Sequence, residues 1–285
     1  MTSAAEDSSL RSGFARVRIG RALVDGCSSS QAVDAITRHA ARGGPTACVV
    51  TPNAQHIVLL ESDDGLREAY THAELVVADG FSLVLASLVL REKLRGRVAG
   101  VDLVDQLCGK AAESGLRVFL LGGRPGSAQL AAEALQRRYG FLIVAGTRCP
   151  APGFEHDERE LHAIDHAIRA ARPDLVFVAL GAPKQELWME RHGRRSGVPV
   201  LVGVGGSFEM LGGILRRAPR LIQRLGCEWL YRLLLEPGRL WRRYLIGNFR
   251  FLGIVLRQAA ERFMSARGGP LYAPNDGHPH RAGEG

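Results

Sequence analysis

Leu75-Val76-Val77-Ala78-Asp79-Gly80-Phe81-Ser82 reads as a short apolar run closed by an acid and a glycine. Four successive apolar residues suit a strand buried on both faces, as in parallel sheets. Open α/β sheets bind ligands outside the carboxyl ends of such strands, so Asp79 is expected at the edge of a cleft. Gly80 permits a sharp turn or a close ligand approach. The apolar run Phe81 to Leu90 then suits a helix packed on the sheet. Aspartate is also a frequent helix cap, and capping of that helix is the other reading of Asp79.

Outward from this stretch the chain alternates. Strand patterns fall at Ala47 to Thr51, Leu75 to Ala78, Val118 to Leu121, Leu142 to Ala145, Leu175 to Leu180 and Val198 to Val202. Helical patterns lie between them at Ala54 to Leu60, Val101 to Ser114, Ala128 to Tyr139, Glu158 to Ala171 and Lys184 to His192. Such alternation predicts an α/β fold, Rossmann-like, with a largely parallel sheet and helices on both faces. Ala15 to Val24 alternates around Gly20, which suits a small hairpin ahead of the sheet. Ser28 to Arg42 has helical spacing with serines to cap its start. The expected organisation is a disordered residue 1–13 segment, an α/β core over 14–213, a basic helical segment over 214–267 and a disordered tail over 268–285.

Composition narrows the class. The 285 residues are 46% hydrophobic, ample for a buried core. No run approaches the roughly 20 apolar residues of a membrane span, and the polar N-terminus lacks the order of a secretory signal. The expected location is cytoplasmic, peripheral at the inner face of the cell membrane. Five scattered cysteines, without a CxxC or Cys/His cluster, argue against a disulfide framework and a zinc site. The net charge of +8 is unevenly placed: Ile214 to Arg267 holds twelve arginines against three glutamates, a net of +9, leaving −1 elsewhere. That segment implies an acidic partner.

Several turns could carry chemistry. Thr51, Pro52, Asn53 and His56 follow a strand; Thr51 and Asn53 either bind a ligand or cap the next helix, and His56 suits a structural histidine or a site residue. Gly122 and Gly123 lie in a strand-to-helix turn whose free N–H groups suit a phosphate, although the turn spells neither a P-loop nor GxGxxG. Lys184, Gln185 and Glu186 crowd a helix start after Gly181-Ala182-Pro183, where a lysine opposes the helix dipole unless an anion is near. Arg97 is a loop cation that could meet a phosphate. No DxD-like pair follows a strand, so the sequence calls for no metal and no cofactor. In the C-terminal segment, arginines interleave with Trp229, Tyr231, Trp241, Tyr244 and Phe249, which describes short amphipathic helices punctuated by Pro219, Pro237 and Gly247. Such helices suit a membrane interface or a cap on the core. No nucleic-acid module is recognisable.

The motifs TPNAQH (Thr51 to His56), ADG (Ala78 to Gly80), RVAGVDL (Arg97 to Leu103), LLGG (Leu120 to Gly123), PDLVFVALGAPKQE (Pro173 to Glu186), GVGGSFEMLGG (Gly203 to Gly213) and RAPRLIQRLGCEWLYRLLLEPGRLWRRYL (Arg217 to Leu245) occur in that order. Together they resemble the WecG/TagA/CpsF family of glycosyltransferases. The resemblance implies metal-independent, inverting transfer from a UDP-sugar to a polyprenyl-diphosphate-linked sugar in surface polysaccharide biosynthesis. It makes Asp79 the general base. It gives Thr51, Asn53 and Gln185 to the sugars and Arg97 to diphosphate charge; His56, Gly80, Gly122, Gly123, Lys184 and Glu186 stand beside them as candidate substrate-binding residues. It turns Arg217, Arg224, Arg232, Arg239, Arg242 and Arg243 toward lipid and its diphosphate. Two departures stand out: Ser82 replaces a common glycine, and Glu209 replaces an aspartate. The alternatives are a nucleotide-binding oxidoreductase, which the missing GxGxxG opposes, and a non-catalytic membrane-docking module.

Overall fold

The computed structural model describes Leu10 and residues 13–224, 226–235 and 237–267. Strands β1 (Arg16–Ile19) and β2 (Ala22–Asp25) form an antiparallel hairpin closed at Gly20. Helix α1 (Ser29–Arg42) starts at a capping box in which Ser28 and Gln31 exchange side-chain and backbone bonds. The βα alternation follows: β3 (Ala47–Val50), α2 (Ala54–Leu59), α3 (Asp64–His72), β4 (Leu75–Val76), α4 (Phe81–Val89), α5 (Gly100–Ser114) and β5 (Arg117–Gly122). It continues through α6 (Ser127–Arg138), β6 (Ile143–Arg148), α7 (Glu158–Ala171), β7 (Leu175–Ala179), α8 (Lys184–Arg191), β8 (Val200–Gly203) and α9 (Ser207–Leu211).

The last six strands form one parallel sheet in the order β4-β3-β8-β7-β5-β6. Strands β3 and β8, the first and last of this sheet in sequence, are neighbours, so loops from distant parts of the chain meet at their carboxyl ends. That meeting point is where open sheets hold ligands. Strand residues divide by parity between two cores. Val50, Val76, Phe119, Leu121, Val176 and Val178 face one side, while Val49, Leu75, Val118, Leu120, Leu175 and Phe177 face the other. Both faces are covered, which is why these strands read as unbroken apolar runs. Each such side chain contributes roughly 1.5–3 kcal/mol by its removal from water.

Strand β4 is shorter than its apolar run, but the ladder continues: the Val77 N–H donates to the Val50 carbonyl at 2.9 Å. At the other sheet edge, β6 runs to Arg148 and not only to Ala145. Leu10 is buried in the core, so it departs from the disorder expected of the N-terminus. The remaining expectations for residues 1–9, 11–12 and the tail from Gly268 fall outside the described residues.

The C-terminal segment differs from its expected chain of short helices. After α10 (Arg220–Arg224) and α11 (Glu228–Leu235), a single helix α12 runs Pro237–Arg267 over 31 residues. Pro237 starts it, as prolines at first-turn positions do. Gly247, expected as a break, is instead a packing site: a Cβ there would lie 2.7 Å from Gln55 Oε1 on α2. The absence of a side chain brings the two helices together. Beyond it Phe251, Ile254 and Val255 are buried with Val17, Ile19 and Ile57. The helix thereby joins the core of the α/β unit. No helix among the described residues is long and apolar enough to cross a membrane.

Candidate active site

A cavity of about 480 Å³ opens at the carboxyl end of the sheet. Its wall takes Thr51 and Asn53 from just past β3, Asp79 and Gly80 from the turn after β4, Gly123 from the turn after β5, Gln185 from the first turn of α8, Gly205 from the turn after β8 and Glu209 from α9. Glu228 and Trp229 of α11, with Asn248 and Phe251 of α12, close it. A space of this size is ordinary for a small-molecule site.

Asp79 does not cap the helix that follows it. Helix α4 has Gly80 at its N-cap and no side-chain cap. Instead Asp79 Oδ1 accepts the Gly100 N–H at 2.9 Å, at the start of α5. The Asp79 N–H donates to the Pro52 carbonyl at 2.9 Å, which locks ADG to the TPN turn. Arg97 Nε donates to the Asp79 carbonyl at 2.7 Å. Burial raises the Asp79 pKa above its ordinary value; the Arg97 charge and the Gly100 N–H oppose that rise, and Glu228 adds to it. The net direction is up, toward a stronger base.

The TPN turn is held internally. Thr51 Oγ1 donates to the Gly203 carbonyl at 2.7 Å, pinning the ends of β3 and β8 together. Asn53 caps α2, accepting from the Gln55 N–H at 3.0 Å, and His56 Nδ1 accepts the Asn53 N–H at 3.2 Å. His56 Nε2 lies 3.2 Å from Glu186 Oε1. Both ring nitrogens are engaged, so the buried His56 acts as a strut between α2 and α8.

Gln185 and Glu186 are buried side by side. Gln185 Nε2 donates to Glu186 Oε1 at 2.6 Å, and Gln185 Oε1 accepts the Gly205 N–H at 3.0 Å. Gln185 thus fixes the turn after β8 while lining the cavity; Glu186 lies behind it, outside the wall. Lys184 points elsewhere. Its ammonium pairs with Glu155, so the anion that answers the lysine at this helix start belongs to the chain itself. Gly122 also lies outside the wall: with φ +101°, its Cβ position would be 2.6 Å from the Ala179 carbonyl, so close strand packing demands the glycine. Gly123 does line the cavity, but the next N–H, of Arg124, is taken by Glu209 Oε1 at 3.0 Å. The other Glu209 oxygen, Oε2, is buried without a hydrogen-bond partner.

Of the C-terminal arginines, Arg217 forks onto Asp102, with both N–H···O contacts at 2.6 Å, and lies outside the cavity wall. The side chains of Arg224, Arg232, Arg239, Arg242 and Arg243 lie outside the described residues. No cluster of three or more His, Cys, Asp or Glu among the described residues has the placement to hold a metal ion. Glu228 was not among the sequence candidates. Its signal was available: it is the lone acid between Ile214 and Leu235, amid arginines. Its carboxylate pairs with Arg97 and reaches Arg217 Nε at 3.5 Å.

Comparison with known proteins agrees with this arrangement. The family model "Glycosyl transferase WecG/TagA/CpsF family" matches residues 17–264. An N-acetylglucosaminyldiphosphoundecaprenol N-acetyl-beta-D-mannosaminyltransferase of Bacillus spizizenii is 34% identical over 199 residues, covering 70% of this chain and 75% of the relative. The enzyme of that name from Staphylococcus aureus is 31% identical over 256 residues, 88% of this chain and 94% of the relative. The match extends from the hairpin through α12, so it takes in both the cavity and the helices that close it: the chain belongs to the WecG/TagA/CpsF family and is a glycosyltransferase.

Proposed function

We propose that this protein transfers an N-acetylhexosamine, N-acetylmannosamine in the first instance, from a UDP-sugar to a polyprenyl-diphosphate-linked N-acetylglucosamine, with inversion and without a metal. The relatives' names supply both sugars and the lipid diphosphate. The observation that carries the chemistry is Asp79: a cavity carboxylate whose proton affinity is raised by burial and whose orientation is fixed by the Gly100 N–H. Asp79 takes the proton from the acceptor hydroxyl as that oxygen forms its bond to the anomeric carbon. The bond from that carbon to the donor diphosphate breaks on the opposite face, and UDP leaves with the electron pair. Arg97, beside Asp79, offers its charge to the diphosphate. Thr51, Asn53 and Gln185 keep the turns around the reacting sugars in place, so positioning supplies part of the rate.

We further infer docking on an anionic membrane. On α12, Phe249, Leu252, Leu256 and Phe263 are exposed at helical spacing opposite the buried Phe251, Ile254 and Val255. Arg250 and Arg257 lie beside that outward stripe and are also exposed. Apolar side chains flanked by arginines suit the headgroup boundary. Release of UDP from UDP-N-acetylmannosamine, dependent on a short-chain polyprenyl-diphosphate N-acetylglucosamine and persisting in EDTA, tests the reaction. An anomeric assignment of the product tests the inversion.

A further inference from the structure

Glu228 stands at the centre of a charged chain that leads from the reacting carboxylate to the C-terminal segment. Arg97 Nε holds the Asp79 carbonyl at 2.7 Å while its other arm pairs with Glu228. Arg217 Nε lies 3.5 Å from the second Glu228 oxygen, and its fork grips Asp102 on α5. Helix α5 is the one whose first N–H, from Gly100, binds the Asp79 carboxylate. The chain therefore closes on itself: Asp79, Arg97, Glu228, Arg217, Asp102 and back through the start of α5. Every other member lies before residue 218; Glu228 alone comes from α11, and it lines the cavity beside Asp79 and Arg97.

An arginine at a cavity wall can swing on its long side chain, and a swinging Arg97 would release the backbone of Asp79. A carboxylate on its far arm prevents that, because a guanidinium held at two points has lost its freedom before substrate arrives. We propose that Glu228 is a positioning residue for the transfer: it clamps Arg97 against the backbone of Asp79, so the base and the diphosphate-binding cation are set together only when α11 is seated. The proposal rests on the assignment of Asp79 as base. It makes the C-terminal segment part of the catalytic geometry through an acid, not only through its arginines. The clamp also has an electrostatic side. Asp79 is faced by Arg97 from the loop before α5, by Glu228 from α11 and by His56 from α2. Neutralising Glu228 removes a negative neighbour and frees the Arg97 charge to act on Asp79 alone, and both changes weaken the base.

The test uses the full chain with Glu228→Gln, which keeps size and removes charge, and Glu228→Asp, which keeps charge and withdraws the carboxylate by a methylene. The expected result for Glu228→Gln is a fall in kcat of about ten-fold, with the acid limb of the kcat/KM profile displaced to lower pH. In an Arg97→Gln background the same substitution should lower kcat much less, because the clamp acts through Arg97 and only the direct loss of a negative neighbour of Asp79 remains. Glu228→Asp should retain the acid limb more nearly in place while still lowering kcat. Wild-type kcat and an unmoved acid limb in folded Glu228→Gln would overturn the proposal, as would a loss confined to thermal stability. If Glu228→Gln does not fold, a wild-type profile for Glu228→Asp does the same. Asp79→Asn separates the two failures: if it stays fully active, the base assignment itself falls, whereas an inactive Asp79→Asn beside an unaffected Glu228→Gln removes only the clamp.

Discussion

Asp79 and Gly100 are joined across 2.9 Å, carboxylate to backbone N–H, so the acid that follows β4 is oriented by a helix 21 residues further on. A cap on its own helix would have tied the carboxylate up locally. The cross-chain bond instead leaves it facing the cavity, in surroundings that favour the proton.

That environment sets the pH dependence. The Asp79 pKa is raised, chiefly by burial. With Asp79 as the proposed base its ionised form is the active one, so the acid limb of kcat/KM should lie above that of an ordinary aspartate, with activity lost as pH falls through it. The stability effect has the opposite sign. Between the unfolded and the raised folded pKa the native state binds the extra proton, so stability from this group is present at low pH and lost as pH rises through that window. Asp79→Asn, which keeps an acceptor for Gly100, should therefore raise the midpoint of thermal unfolding at neutral pH. The gain should vanish in acid below the ordinary aspartate range. A lower midpoint at pH 7 would contradict the assigned direction.

Thr51 offers a second check on the site's frame. Thr51→Val preserves shape but strands the buried Gly203 carbonyl, at an expected cost of about 1–3 kcal/mol. Thr51→Ser, which keeps the hydroxyl, should cost clearly less. Urea unfolding of the two variants distinguishes them; an unchanged Thr51→Val beside a destabilised Thr51→Ser would mean the methyl group matters and the 2.7 Å bond does not.

The C-terminal helix is expected to behave as core. Ile254 is buried against the hairpin and α2 side of the sheet. Ile254→Ala should cost about 2–5 kcal/mol of global stability, in a single unfolding transition. A second, earlier transition carrying the whole loss would instead mark residues 214–267 as an independent unit.

The outward face of the same helix should show the reverse pattern. Phe249→Glu combined with Leu256→Glu removes exposed apolar surface and adds negative charge. Co-sedimentation with anionic vesicles should fall several-fold while thermal stability stays within about 0.5 kcal/mol per site. Undiminished vesicle binding would show that α12 is not the docking face.

The sequence made much of the sheet legible, because strands buried on both faces announce themselves as apolar runs such as Leu175 to Leu180. The carboxyl-end turns followed from those strands. Roles within the turns were less legible. Asn53 caps α2 as a local pattern allows, whereas Thr51 and His56 offered side chains whose partners, the Gly203 carbonyl and Glu186, lie at distances along the chain that no local pattern encodes. Lys184 suggested an external anion only because Glu155 was not visible as its neighbour. Gly247 read as a break because glycine disfavours helices, yet tertiary packing on Gln55 overrode that propensity. Glu228 was hidden by its setting, since one of three acids among twelve arginines looks like a surface counter-charge.

The central claim is that Asp79 deprotonates the acceptor. Its most direct test is acceptor-dependent UDP release from UDP-N-acetylmannosamine by wild type and Asp79→Asn, matched for folded protein. A loss of about 10²–10⁴-fold in kcat, with donor binding retained, is the predicted result. Near wild-type turnover by Asp79→Asn would contradict the account.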